Sequence, residues 1–223
     1  MRAAHLPTLL IAALAFGACA TAPGPELQPD RIISLLDAEI DGDTPVHRFF
    51  EGELPPLAGP VALDVRIGAQ LAFLADNRGP FGDTRSLGLR DGFASGGFLG
   101  GRDLESLLRD LEDELTRDLE KRGVAVDADA STLLRVVLVD AQPNRPTYAQ
   151  LAQQPGLSLQ SFGRGGASFE GELIGAGGES LGTFTYGYYD ELDVFLQSAG
   201  IWTDADRAVE RVSDRLARAV GGT

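Results

Sequence analysis

The sequence predicts an α+β domain of two layers, a mixed sheet of about four strands with two long helices on one face. Three observations predict it. Leu104–Arg122 and Asp204–Val220 carry apolar residues at helical spacing. Val61–Ile67, Leu133–Val139, Ala167–Ile174 and Leu181–Tyr189 either alternate apolar with polar residues or run apolar and β-branched. The order is strand, helix, strand, hairpin, helix, which makes the first strand–helix–strand unit parallel with a right-handed crossover.

The elements follow in order. VALDVRI at 61–67 alternates and reads as a half-buried strand. A glycine-rich stretch from Gly68 to Gly101 reads as one long loop, in which Leu71–Leu74 adds a little structure. Leu104, Leu107, Leu108, Leu111, Leu115 and Leu119 then form one stripe, too short for a zipper and therefore core-facing. Asp103 is the expected N-cap of that helix, and Gly123 suits the left-handed position past its end. LLRVVLV at 133–139 is nearly all apolar and reads as a central strand, ended by Pro143 and Pro146. Ala167–Ile174 and Leu181–Tyr189 flank the glycine-built turn Gly175–Ser180, which predicts a hairpin. The last helix offers Ala205, Ala208, Val209, Val212, Leu216, Ala219 and Val220 to the core. Thr203 is its expected cap, with Asp206 completing an acidic variant of the capping box.

Upstream of the domain the chain reads differently. Arg2, the apolar run Leu6–Phe16 and the small residues Gly17, Ala18 and Ala20 describe a secretory signal peptide over residues 1–18. Its apolar run falls short of the roughly 20 residues a membrane-spanning helix needs. Cys19 is the only cysteine, so no internal disulfide is possible. Phe16-Gly17-Ala18-Cys19 resembles the bacterial lipoprotein box, in which the cysteine is acylated after cleavage. Phe16 departs from it, since leucine is usual there. Ala18-Cys19-Ala20 also fits ordinary cleavage after Ala20, which would leave a soluble periplasmic or secreted protein. The lipoprotein resemblance implies the outer membrane, because Ala20 stands where an aspartate would signal inner-membrane retention. Residues 19–30 read as a lipidated flexible tether, 31–60 as an irregular segment with a short helix, and 61–223 as a single domain. A net charge of −14 repels nucleic acid and anionic lipid surfaces.

A second resemblance rests on Leu133–Asp140, on Pro143-Asn144-Arg145-Pro146 and on Gly165-Gly166-Ala167-Ser168-Phe169-Glu170-Gly171-Glu172-Leu173. Strand, proline-bearing turn and glycine-led strand entry recur in that order in small bacterial lipoproteins. The chain is similar over 131–190 to domain-of-unknown-function family 3313. That resemblance implies an envelope location and an α+β fold, and no activity. The stretch 68–101 departs from the family's pattern.

Four groups of residues have chemistry to weigh. Gly178-Glu179-Ser180-Leu181-Gly182 matches the G-x-S-x-G pattern, whose serine sits on a strand-to-helix elbow in hydrolases. Here a strand follows, and the mature chain has one histidine, His47, to serve as base. Asp37–Asp43 partly follows a calcium loop, with Arg48 where a bidentate glutamate belongs. Asp190, Glu191 and Asp193 form an acidic run of the kind that could supply paired carboxylates to a glycosidase, though such runs also simply end strands. Tyr186, Tyr188, Tyr189, Phe195 and Trp202 lie close in sequence; exposed, they would make a binding platform, and buried they are core. No zinc set, nucleotide loop or other cofactor motif is present in the sequence. The expectation is a non-catalytic, lipid-anchored envelope protein binding another envelope component, with Cys19 as lipidation site and Tyr186, Tyr188, Tyr189 and Trp202 as the binding surface. A cell-wall or polysaccharide hydrolase and a calcium-dependent envelope protein are the alternatives.

Overall fold

The computed structural model describes residues 46–51, 54–79, 93, 96–189 and 200–221. Five strands form one sheet: β1 (Val46–Glu51), β2 (Val61–Ile67), β3 (Thr132–Gln142), β4 (Gly166–Ile174) and β5 (Ser180–Tyr189). Their order is β1-β5-β4-β3-β2. The sheet is mixed. β2 pairs β3 in parallel, and every other pair is antiparallel. Four helices accompany it: α1 (Ala69–Asp76), α2 (Gly101–Lys121), α3 (Tyr148–Gln153) and α4 (Thr203–Gly221).

The α+β fold with two long helices is therefore present, and the β2–α2–β3 unit is parallel as its chain order requires. β1 is a correction, because 31–60 reads as irregular. VHRFFE has no clear alternation, yet β5 offers it a full edge of backbone donors and acceptors, and Val46 to Glu51 pair with Tyr189 to Phe184. The Gly68–Gly101 stretch is a second correction. It opens with the two-turn helix α1, and its far end folds back onto that helix, with Leu99 N–H donating to Leu74 C=O (3.2 Å) and Gly100 N–H to Ala75 C=O (2.9 Å).

One face of the sheet and the two long helices enclose the core. Leu134, Val136 and Leu138 of β3, Phe169 and Leu173 of β4, and Phe184, Tyr186 and Tyr188 of β5 are all buried, as period-2 alternation demands. From α2 come Leu104, Leu107, Leu111, Leu115 and Leu119; Leu108 stands half-buried at the stripe's margin. The buried face of α4 is mostly small residues, Ala205, Ala208, Val209, Val212, Ser213 and Ala217, with Leu216 and Val220 toward its end, which lets its backbone come close to α2 and the sheet.

The two helices run parallel to each other. Trp202 at the start of α4 bonds Asp103 at the start of α2, while Arg122 and Asp214 pair near their ends at 3.7 Å. Their caps differ in part from expectation. Gly100, not Asp103, is the N-cap of α2, and Asp103 sits in the first turn, where a negative charge favours the helix dipole. Gly123 does end α2, at φ +80°. Its N–H reaches Glu120 C=O, and Val124 N–H reaches Leu119 C=O, the paired bonds of a Schellman motif. Thr203 does not cap α4. Its hydroxyl accepts from Gly200 N–H, and Trp202 C=O takes the Asp206 N–H instead.

Candidate functional site

Four of the six buried polar side chains among the described residues, Asn144, Thr147, Gln150 and Asp204, gather at one end of the sheet. Gln142, Gly166, Tyr189 and Val46 lie side by side there in neighbouring strands. Three connections leave this end, and buried hydrogen bonds tie them together. Asn144 follows β3. It donates through Nδ2 to Asp204, and its Oδ1 accepts the Asp204 N–H at 2.9 Å. Its backbone joins the same network, with Asn144 N–H donating to Ile201 C=O and Gly163 N–H donating to Asn144 C=O. Both Asn144 and Asp204 are buried, so this pair fixes the start of α4 against the β3–α3 connection. A Cβ at Gly165 would fall 2.4 Å from the Asn144 amide, which is why glycine stands there.

The second tie is the capping box of α3. Gln150 N–H donates to Thr147 Oγ1 (3.1 Å), and Thr147 N–H donates to Gln150 Oε1 (3.1 Å). Gln150 Nε2 also donates to Phe93 C=O (2.7 Å) and Gly97 C=O (3.0 Å), while the Thr147 hydroxyl reaches Phe98 C=O (3.2 Å). One short helix thus holds the returning end of the glycine-rich stretch.

The third tie lies on the sheet itself. The Tyr189 hydroxyl donates to Asp140 at 2.6 Å, and Gln142 donates to the same carboxylate at 3.2 Å. Burial raises the Asp140 pKa, against the pull of the Tyr189, Gln142 and Ala141 hydrogen bonds. Burial and the Asp140 charge together push the Tyr189 hydroxyl well above the ordinary phenol value. A phenol held protonated in this way is a fixed donor rather than a base. Away from this end, Arg135 of β3 reaches Asp64 of β2 at 2.9 Å. Burial alone would raise Asp64, but the Arg135 and Arg66 partners hold it below the usual carboxylate value.

The residues singled out from sequence fall as follows. Tyr186 is 1% exposed, Tyr188 2% and Tyr189 7%, so the tyrosines do not form an exposed platform. The physical reason is that Tyr186 and Tyr188 belong to the core face of β5, where Tyr186 stacks on Phe169 and Arg211 of α4 covers the Tyr188 ring at 4.5 Å. Trp202 is half-buried against the core, its indole N–H directed to Asp103. Ser180 opens β5 directly after the turn, where Gly178 N–H donates to Gly175 C=O and Gly178 has φ +83°. A strand, not a helix, follows it. His47 pairs in register with Tyr188 and Ser180 with Ile174 at the other end of β5, about 27 Å away at the rise of an antiparallel strand. The two do not meet. Cys19, the tether, Asp37–Asp43, Asp190, Glu191, Asp193 and Phe195 lie outside the described residues. Among the described residues no cluster of three or more His, Cys, Asp or Glu side chains is arranged to hold a metal, and no helix is long and apolar enough to cross a membrane.

Sequence reasoning missed the Asn144–Asp204 pair and the Thr147–Gln150 box. The box had a signal, T-x-x-Q directly after a proline, whereas nothing in the sequence links two residues 60 positions apart.

No family model matches the chain, that of domain-of-unknown-function family 3313 included, and no curated protein matches it by sequence. Among solved structures, matches of low identity are found. The PelC dodecamer from Paraburkholderia phytofirmans is 11% identical over 81% of this chain and 100% of that one, with a TM-score of 0.41. A point variant of it gives 0.40 at 11% identity, covering 78% of this chain and 98% of the other. A minor lipoprotein from Acinetobacter baumannii is 11% identical over 75% of this chain and 93% of its own, with a TM-score of 0.32.

Proposed function

We propose that this chain is a lipid-anchored envelope protein, tethered through Cys19 to the outer membrane and facing the periplasm. Its domain is a non-catalytic binding or accessory module for another envelope component, a protein. The observation that carries this reading is the use made of the polar side chains at the end of the sheet. Asn144, Asp204, Thr147, Gln150, Asp140 and Tyr189 direct their hydrogen bonds at one another and at loop backbone, which makes a rigid scaffold. A hydrolase needs instead a nucleophile and base converging on one reacting atom. The lipoprotein-like box at Phe16–Cys19 points to the same location.

A protein partner has a surface to use. The sheet face opposite the core presents Arg135, Glu172, Thr183 and Thr185, half-buried or exposed, with no long helix packed over them among the described residues. A photo-crosslinker placed at Thr183 or Glu172 in living cells tests the reading. The expected result is a discrete adduct with one envelope protein, identified by mass spectrometry. Absence of any protein adduct from both positions, with the protein folded and membrane-bound, refutes the binding role.

A further inference from the structure

Five large hydrophobic side chains are exposed among the described residues: Phe73 (57%), Tyr148 (72%), Leu159 (52%), Phe162 (38%) and Leu181 (38%). Leu181 lies beside the β4–β5 turn. The other four belong to segments bound together at the opposite end of the sheet. Phe73 is on α1, which the returning glycine-rich stretch joins through Leu74 and Ala75. That stretch is held by Gln150 of α3, on which Tyr148 is the first residue. Leu159 and Phe162 are held to the same connection by Arg145, which donates to Leu159 C=O (2.7 Å) and lies 4.5 Å over the Phe162 ring.

Two further facts say what meets this end. First, the chain enters the sheet there, because Val46, the first residue of β1, stands opposite Tyr189, which in turn stands opposite Gly166. Only 26 residues lie between Cys19 and Val46, so along the chain this end of the sheet is the one nearest the anchor. Second, the described segments at this end carry nearly equal numbers of positive and negative side chains in a chain of net charge −14: Arg78, Arg102, Arg145, Arg164 and Arg207 stand against Asp76, Asp103, Glu105, Asp140, Asp204 and Asp206, with Asp204 buried.

We infer that this end of the domain rests on the lipid surface that carries the anchor, with Phe73, Tyr148, Leu159 and Phe162 in the interfacial layer. The inference rests on the proposed lipidation of Cys19. Aromatic rings with a polar tip, and an arginine stacked beside them, suit the boundary between headgroups and acyl chains. Four side chains are too few to bind a membrane from solution. The tether changes that, since it holds the domain at a local concentration where weak contacts suffice. The opposite end, with Leu181 and the β4–β5 turn, then faces away from the membrane, and the open sheet face stands across it.

The test uses the full-length lipidated protein, purified and reconstituted in phosphatidylcholine vesicles, with a nitroxide on Tyr148→Cys or on Leu181→Cys. Acylated Cys19 takes no label. Each nitroxide is probed by collision with oxygen, which partitions into lipid, and with a water-soluble nickel chelate. The expected oxygen-to-nickel ratio is several-fold higher at 148 than at 181. Adding Phe73→Ser and Leu159→Ser, both at exposed positions, lowers the ratio at 148 toward that at 181. Equal, water-like ratios at both positions on vesicle-bound protein overturn the inference and leave the anchor intact. Protein that fails to float with the vesicles, its Cys19 still open to thiol reagents, overturns the lipidation and this inference with it.

Discussion

Leu111 sits in the middle of the α2 stripe and is fully buried between the sheet and α4, so truncating it measures how much the two-layer core depends on this contact. Leu111→Ala removes three carbons from a site with no exposure. At about 0.8 kcal/mol per carbon the lost transfer energy is about 2.4 kcal/mol. A residual cavity adds to it, which places the total at about 3 kcal/mol, inside the range of about 2–5 kcal/mol for buried leucines. For a domain of this size that lowers Tm by about 6–12 °C. Leu111→Asp goes further. It puts an unpaired carboxylate among Leu107, Leu115 and the sheet, a penalty of several kcal/mol on top of the lost packing and comparable with the whole stability of a domain. The assay is urea and thermal unfolding of the Cys19→Ser protein, followed by circular dichroism. Leu111→Ala should shift the midpoint and keep the slope, and Leu111→Asp should show no cooperative transition. A loss below about 1 kcal/mol for the alanine variant would mean that α2 packs through another face.

Four other expectations follow from single residues. Gly123→Ala should cost about 1 kcal/mol by chemical denaturation, because the residue sits at φ +80° while its missing Cβ would meet nothing within 4 Å. Ser180→Ala should leave both unfolding midpoint and cellular phenotype unchanged, whereas Gly178→Val, at φ +83°, should lower the midpoint. Asp206 has a pKa raised to about 6, by partial loss of hydration at the helix surface first and then by the nearby charges of Asp110, Glu210 and Asp204. Its folded value lies above the unfolded value of 3.8, so its charge weakens the fold fully above pH 6, and the effect fades as pH falls toward 3.8. Asp206→Asn should therefore stabilise the domain at pH 8 by no more than about 1 kcal/mol, given its exposure, and do nothing at about pH 3.5, as paired urea titrations will show. Cys19→Ser should move the protein from the membrane to the soluble fraction, since acyl chains hold by about 0.8 kcal/mol per buried CH₂; continued membrane association, or a mature N-terminus at Thr21, would contradict the anchor.

Local pattern determined the elements whose stability is local or one-sided. The leucine stripe of α2, the alternation of Phe169, Leu173, Phe184 and Tyr186, and the glycines at 123 and 178 each state a periodicity or a backbone requirement that a single segment imposes. Strand β1 was not legible, because an edge strand is recruited by the free backbone of its neighbour, and VHRFFE carries no period of its own. The tyrosines show the same limit in the candidate site. Their adjacency is visible in the sequence, but burial depends on α4, which arrives from more than ten residues away to cover Tyr188 with Arg211. Asn144 and Asp204, or Phe73 and Phe162, have no relation along the chain at all. Only tertiary structure brings them to one end of the sheet, because connections leaving the same edge of neighbouring strands must share the space above it.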